Sequence, residues 1–226
     1  MKKRLIGFSP AERPIEGPVD KLGGQPVWRT EPQWPLGTSG EPMMFVCQIR
    51  LAWVLPEAEG RMGYLFFTED PVCSGYGEPD GGDCALIIQP GGRYAGPTAP
   101  LREGPTVCHR RWNERIEVRV PVELHIDLTE ADEAPAGAWD DISPDDHEAF
   151  SAYFDARNEN KIGGYPVPTV NRRYPRSWPV PDDWRLLVQL NALVDDGPYF
   201  LNFALDGTAY AVISPDGSEG RFWFDR

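Results

Sequence analysis

The most regular alternation of apolar and polar positions runs through residues 115–128. Apolar residues occupy every second position from Ile116 to Leu128, and polar residues or Pro121 stand between them. Since successive side chains of a strand point to opposite faces, this pattern predicts a strand with one buried and one solvated face. Pro121 falls on the solvated face and has no N–H to donate to a neighbouring strand, so we expect a sheet edge or a bend there.

Largely apolar runs elsewhere predict buried strands. They span residues 44–51, 63–67, 84–88, 185–190, 199–203 and 210–213. A helix is predicted from about residue 144 to residue 158, because Ser143 is a good N-cap and Pro144 suits the first helical position. Residues 1–20 show no clear periodicity, so we expect an extended arm or an irregular start to the chain.

Two segments repeat the same order of signals. Each has a Lys-x-Gly-Gly-x-Pro motif, then a Trp-Pro pair, then a glutamine inside an apolar run. The members are Lys21–Pro26, Trp34 and Gln48 in the first segment and Lys161–Pro166, Trp178 and Gln189 in the second. We interpret residues 1–226 as one domain with an internal repeat, at about 21–95 and 161–226, joined by residues 96–160. The predicted fold class is α+β, mainly antiparallel β: two pseudo-symmetric β-rich halves in one globular unit with few short helices.

Composition supports β-structure with long loops. The chain has 23 glycines and 24 prolines, which interrupt helices and mark turns. No window approaches the ~18 apolar residues of a membrane span, and the basic start is not followed by a secretory apolar region. We therefore predict a cytoplasmic protein without membrane contact. A reducing cytoplasm argues against disulfides among the four cysteines.

Charge defines the expected partner. The 22 Lys and Arg residues against 35 Asp and Glu residues give a net charge of −13, which opposes binding to nucleic acid and favours a basic protein or a cationic ligand. Residues 127–148 contain many carboxylates, no Lys or Arg, and Trp139. This stretch is either a solvated acidic loop or a surface for a basic partner. The predicted partner-binding residues are Asp132, Glu133, Trp139, Asp140, Asp141, Asp145 and Asp146.

The repeated motifs offer a second candidate site. Neither Gly-Gly motif matches a dinucleotide-binding or P-loop fingerprint, so each is read first as a tight turn. A glutamine in an apolar run either ties down a neighbouring loop or lines a groove between the two halves. The candidate groove residues are Gly23, Gly24, Gln48, Gly163, Gly164 and Gln189.

Known catalytic and metal-binding patterns are missing from the sequence. Residues 37–40 lack the Gly-x-Ser-x-Gly spacing, and of Cys73, Cys84, Cys108 and His109 only the last two are close in sequence. We assign no catalytic residue, no metal and no cofactor. Whether these four side chains meet in space is open, and so is the oligomeric state.

Three features together resemble a known family. They are the repeated Lys-x-Gly-Gly-x-Pro motif, the segment Pro-Met-Met-Phe-Val-Cys-Gln-Ile-Arg-Leu from Pro42 to Leu51, and the ending Phe222-Trp-Phe-Asp225. With these the chain resembles the YwqG-like family of bacterial proteins of unknown function, from Lys21 to Arg226. The resemblance implies a cytoplasmic α+β or mainly β domain with internal pseudo-symmetry, and it supplies no activity and no catalytic residues. Members of such families often lie beside secreted-toxin genes, which by analogy suits an immunity role.

Two functional hypotheses follow. The leading one is a non-catalytic binding protein, in its most concrete form an immunity-type protein that neutralises a basic bacterial toxin, for example a nuclease, through an acidic surface. The alternative is a small-ligand-binding protein or an enzyme with a groove between the two repeats. A deep, polar-lined pocket between the halves would favour the alternative, and a filled apolar interface would count against it.

Overall fold

A computed structural model describes residues 2–68, 82–113, 116–133, 146–166, 181–194, 197–203 and 207–225. The strands in this part of the chain are β1 (Lys2–Pro10), β2 (Lys21–Gly23), β3 (Trp34–Pro35), β4 (Met44–Arg50), β5 (Met62–Phe67), β6 (Cys84–Gln89), β7 (Thr98–Ala99), β8 (Cys108–Asn113), β9 (Ile116–Pro121), β10 (Glu123–Asp132), β11 (Lys161–Gly163), β12 (Arg185–Asn191), β13 (Thr208–Ile213) and β14 (Gly220–Asp225). One α-helix, α1 (His147–Asp155), and two 3-10 turns, Leu51–Trp53 and Pro56–Ala58, complete the described elements.

Ten strands form one antiparallel, nearly closed, barrel-like sheet in the order β14-β13-β12-β11-β1-β10-β2-β4-β5-β6. Its two end strands meet side by side: the Arg93 N–H donates to the Ser218 carbonyl at 2.8 Å, and a Cβ built on Gly220 would lie 2.4 Å from Leu86 Cδ2. The prediction of a mainly antiparallel β fold is therefore confirmed. The helical part of the described chain is limited to α1 and the two 3-10 turns.

The central core fills the space that the sheet encloses. Buried apolar residues from nearly every strand of the sheet pack there, among them Leu22, Val46, Leu124, Ile162, Leu187 and Phe222. Two smaller cores cover the outer face of the sheet. Trp34 packs with Phe45, Tyr64 and Phe66 over β4–β6, and Phe154 and Trp184 pack against Leu186, Tyr210, Val212 and Trp223 over β12–β14.

The apolar runs predict the buried strands well. The expected strands at residues 44–51, 63–67, 84–88, 185–190 and 210–213 correspond to β4, β5, β6, β12 and β13. The run at residues 199–203 is buried but forms only isolated bridges, Cys108–Phe200 and Leu193–Leu201. The last strand, β14, follows β13, and the sequence analysis did not predict it.

The expectation of an extended arm or an irregular start was wrong for residues 2–10, whereas residues 11–20 form no helix or strand. Residues 2–10 form β1, which lies in the middle of the sheet between β10 and β11. Its Arg4, Ile6 and Phe8 alternate with Lys3 and Leu5, and Ile6 and Phe8 pack against the central core. The strand periodicity was obscured because the series that includes Ile6 and Phe8 starts with two charged residues, Lys2 and Arg4.

The long alternating segment divides where the proline predicted a bend. Pro121 ends β9, which pairs only with β8 among the described strands, and Glu123 starts β10 in the large sheet. The predicted helix is observed as α1, which ends at Asp155, and Asp146 is its N-cap. Ser143 and Pro144 lie outside the described residues. No helix among the described residues has the length and apolarity needed to cross a membrane.

Candidate functional site

The first Lys-x-Gly-Gly turn is attached to the start of β10 by an ion pair. Lys21 Nζ lies 2.5 Å from Glu123 Oε1 and also donates to the Ile15 carbonyl at 3.3 Å. The second carboxylate oxygen of Glu123 accepts the Ile15 N–H at 3.2 Å. Burial lowers the pKa of Lys21, while the Glu123 carboxylate opposes that shift. The lysine is therefore committed to a structural ion pair.

The second Lys-x-Gly-Gly turn is attached to the other end of β10 in the same way. Lys161 Nζ lies 3.2 Å from Glu133 Oε2, which also accepts the Tyr165 N–H at 3.2 Å, and Lys3 Nζ lies 3.5 Å from Glu133 Oε1. Lys3 also binds Glu159. Burial raises the pKa of Glu133, but the charge and hydrogen bond of Lys161, the Tyr165 N–H and the charge of Lys3 together outweigh it, so the pKa lies below its usual value.

The glycine pairs allow the two glutamates to approach the backbone. Gly24 and Gly164 have φ of 65° and 76°, in the left-handed region that favours glycine. A Cβ on Gly24 would lie 2.3 Å from Glu123 Oε1, and one on Gly164 would lie 2.2 Å from Glu133 Oε2. Gly23 and Gly163 also have positive φ, 69° and 70°. The candidate groove glycines therefore make tight turns, and the carboxylates occupy the space beside them.

The two glutamines hold loops. Gln48 Oε1 accepts the Val27 N–H at 2.9 Å and its Nε2 donates to the Val19 carbonyl at 2.7 Å. Gln189 Nε2 donates to the carbonyls of Arg157 and Glu159 at 2.9 and 3.0 Å. Both glutamines are fully buried. Their amides thus satisfy backbone groups of the segments before β4 and before β11.

The structure does not bring the two sets of groove residues together. Gly23 pairs with Glu123 at one end of β10, whereas Gly163 is level with Lys3 of β1 and so with Ala131 near the other end. At about 3.3 Å per residue these positions are roughly 26 Å apart along the strand. The space enclosed by the sheet is occupied by the apolar core. These residues therefore stabilise two separate turns and do not line one groove.

Only part of the predicted acidic surface lies in the described residues. Asp132 is exposed and pairs with Lys2 at 2.8 Å, and Asp146 accepts the Ala149 N–H at 3.0 Å as the helix cap. Glu133 has no exposed side-chain surface, because it is enclosed with Lys161, so it is not available to a partner. Trp139, Asp140, Asp141 and Asp145 lie outside the described residues.

Asp20 is a third buried carboxylate, and its role was not predicted from the sequence. It accepts the Arg50 N–H at 2.7 Å, Arg50 Nη2 at 2.6 Å and Trp53 Nε1 at 2.8 Å. The guanidinium groups of Arg50 and Arg4 lie 4.5 and 4.6 Å from the Trp53 ring centre. Asp20 thus fixes the 3-10 turn that follows β4. Its position next to the Lys21 motif was the only sequence signal.

An open cavity of about 480 Å³ lies beside β4, and Gln25, Glu41, Thr68, Gly104, Cys108 and Arg119 contribute to its wall. The Gln25 amide is used by Gly104, whose N–H and carbonyl it binds at 2.9 and 3.1 Å. The Thr68 hydroxyl is buried and has no hydrogen-bond partner among the described residues. This volume is in the range of small-ligand sites.

Three of the four cysteines, Cys47, Cys84 and Cys108, lie in the described residues. In the described ranges no group of three or more His, Cys, Asp and Glu side chains is arranged to hold a metal ion. Cys47 and Cys84 lie in the central core, and Cys108 is also buried. Burial raises the pKa of the Cys47 thiol well above its usual value, so this group is a poor nucleophile. Cys73 lies outside the described residues.

Comparison with known families accounts for most of the chain. A family model described as "Domain of unknown function (DUF1963)" matches residues 20–221. The chain belongs to this family. The matched span contains both Lys-x-Gly-Gly turns and all of β10, whereas β1 precedes it. No curated protein and no solved structure matched the chain. Membership therefore gives the family of the chain, and the family's description names no activity.

Proposed function

We propose that the protein is a non-catalytic binding protein that recognises a basic protein partner through an acidic surface. The observation that carries the proposal is the outer face of α1, where Asp146, Glu148 and Asp155 are exposed and no Lys or Arg occurs between residues 146 and 156. Clustered charge of one sign speeds the encounter with an oppositely charged partner and selects against like-charged ones.

The helix is firmly attached to the sheet, which suits a recognition surface. Phe154 packs against the small core over β12–β14, and the Arg157 guanidinium lies 3.6 Å from the centre of the Tyr153 ring. The Gln189 amide binds the Arg157 carbonyl at 2.9 Å just after the helix. A surface that is ordered before binding loses less conformational entropy on association.

In its most concrete form the protein is an immunity-type protein of the bacterial cytoplasm, similar to the YwqG-like family, that neutralises a basic toxin. We further propose that residues 21–95 and 161–226 are two copies of one unit. The supporting facts are the paired registers Lys21–Gln48 and Lys161–Gln189, and a glutamate of the β10 region bound to each lysine. On this proposal, the partner is recognised by a part of the chain that lies outside the two copies.

Co-expression with the products of adjacent genes tests the proposal. The wild-type chain should retain a basic neighbour in a pull-down, and Glu148→Gln/Asp155→Asn should weaken the complex about tenfold or more, since both substitutions remove charge from the helix face. Glu12→Gln/Glu16→Gln is the matched control, because it removes the same number of charges from exposed carboxylates that lie outside α1, near Glu123 at the start of β10. Retention of no neighbour, or equal weakening by both pairs, would overturn the proposal.

A small-ligand function is the second candidate, and the cavity beside β4 is the observation that favours it. Its buried Thr68 hydroxyl has no hydrogen-bond partner within the part of the chain that the structure describes, while Glu41 and Arg119 supply opposite charges at the wall. Such a site would suit a small zwitterion. Calorimetric titration with amino acids and dipeptides, repeated on Thr68→Val, distinguishes this candidate: heat that is lost in the variant supports it, and no heat with the wild type excludes that ligand class.

A further inference from the structure

The hairpin of β8 and β9 carries an exposed apolar edge strand. Val118 and Val120 of β9 are 40% and 41% exposed, although both are β-branched residues that favour strands. Pairing is with β8 alone within the described residues, so the other edge of β9 offers its backbone N–H and C=O groups to an added strand. Edges of this kind pair with other chains unless they are protected.

Protection is weak along β9. Proteins commonly block an edge with charged side chains, with proline or with a bulge. Here Pro121 stands at the last position of the strand, the register with β8 is regular from Cys108–Pro121 to Asn113–Ile116, and the two charged side chains, Glu117 and Arg119, are of opposite sign. No strand of the described residues other than β8 pairs with β9, so a second strand can add at the positions before Pro121.

The sequence of β9 is self-complementary. When two copies of Ile-Glu-Val-Arg-Val pair antiparallel about Val118, each Glu117 stands opposite Arg119 of the second copy, and Val118 stands opposite Val118. Residues directly opposite in an antiparallel pair have Cβ atoms about 5 Å apart, so opposite charges attract and apolar side chains pack. One two-fold axis thus satisfies both charge pairs and the apolar pair at once, as a symmetric dimer interface requires.

We propose that β9 pairs with β9 of a second copy of this chain, so that two hairpins form a four-stranded sheet across a two-fold axis. Within one chain, Glu117 lies 3.1 Å from Arg110 Nε and 3.6 Å from Arg119 Nε. The Arg119 side chain is half exposed. An interface of one strand pair is small, so the dimer forms reversibly and depends on protein concentration.

Charge reversal at Glu117 and Arg119 tests the proposed dimer. If the two residues only stabilised the fold of one chain, mixing the two variants would not restore association. Sedimentation equilibrium of the full chain should show a dimer whose fraction rises with concentration. Glu117→Arg places arginine opposite Arg119, and Arg119→Glu places glutamate opposite Glu117, so each variant alone should be monomeric. A mixture of the two variants restores both opposite-charge pairs, so a heterodimer should form.

The controls keep the outcome decisive. Circular dichroism and thermal unfolding must show that both variants are folded, and Val118→Thr offers a milder second change that should weaken the dimer without adding charge. A wild-type chain that is monomeric at all concentrations would overturn the proposal. Charge-reversed variants that dimerise as the wild type does, or folded variants that fail to associate when mixed, would do so as well.

Discussion

Glu123 begins β10 and Glu133 directly follows its last residue, and each carboxylate binds the lysine of one Lys-x-Gly-Gly turn. One strand therefore fixes the positions of both turns, and each turn leads into a glutamine-bearing strand of the large sheet. The repeated motif thus acts in folding, and this explains why its glycines and glutamines do not form a shared groove.

Replacement of Glu133 tests how strongly the second turn depends on its carboxylate. Glu133→Gln leaves Lys161 buried without its opposite charge, and breaking a buried pair from one side costs about 3–5 kcal/mol. Urea unfolding should show this loss. Glu130→Gln is the control, since Glu130 is 68% exposed and pairs with Arg4 at 3.7 Å, which is worth about 0–1 kcal/mol. Equal losses in the two variants would show that the buried pair adds nothing.

Substitution of Gly164 separates backbone strain from the clash with Glu133. Gly40→Ala introduces a Cβ at φ 82° into open space, which should cost roughly 1–2 kcal/mol from the left-handed backbone alone. Gly164→Ala has a similar φ and also displaces the Glu133 carboxylate, so its loss of unfolding free energy should be clearly larger. If both alanine variants unfold at the same urea concentration, the close approach is not needed.

Removal of the Gln189 amide tests its role in the segment before β11. Gln189→Met keeps the side-chain length but leaves the carbonyls of Arg157 and Glu159 without this donor, and a buried unsatisfied group costs about 1–3 kcal/mol. Chemical denaturation should detect the loss. The same substitution at Gln33, which is exposed, should leave stability nearly unchanged. A stable Gln189→Met variant would instead assign the glutamine a role outside folding.

Asp216 predicts a specific acid dependence of stability. Its carboxylate accepts hydrogen bonds from the Ser218 N–H at 2.9 Å and the Ser214 hydroxyl at 2.7 Å, which lower its pKa to about 2. A lowered folded-state pKa means that the stabilisation is complete above the usual value of 3.8 and is lost as the pH falls towards 2. The melting-temperature difference between wild type and Asp216→Asn should therefore be largest near neutral pH and should shrink between pH values of about 4 and 2. A difference that stays constant over this range would contradict the assignment.

Apolar periodicity was enough to predict β4, β5, β6 and β12, because their buried faces are continuous in the sequence. It failed for β1, whose Lys3 is buried only because Glu133 and Glu159 approach it from distant parts of the chain. It also failed at Tyr199–Phe203, where apolar residues fill the core from a loop that forms isolated bridges. The apolar pattern of a segment indicates whether its residues are buried. Strand pairing also depends on other segments of the chain, which that pattern does not identify.

The candidate sites show the same limit. The tight turns at the two Gly-Gly pairs could be predicted from glycine chemistry, but their glutamate partners could not, since the pairing of β2 with β10 sets the first contact. Glu133 was assigned to an exposed acidic surface because its sequence neighbours are acidic. Its burial depends on Lys161, which is 28 residues away.

The dissociation constant of the complex with a basic neighbouring gene product, measured by calorimetry at low and at high salt, tests the central claim most directly. The acidic face of α1 predicts that the wild-type complex weakens strongly as salt screens the charges, and that Glu148→Gln/Asp155→Asn binds more weakly with a smaller salt dependence. Equal affinities and equal salt dependence for the two proteins would contradict the claim.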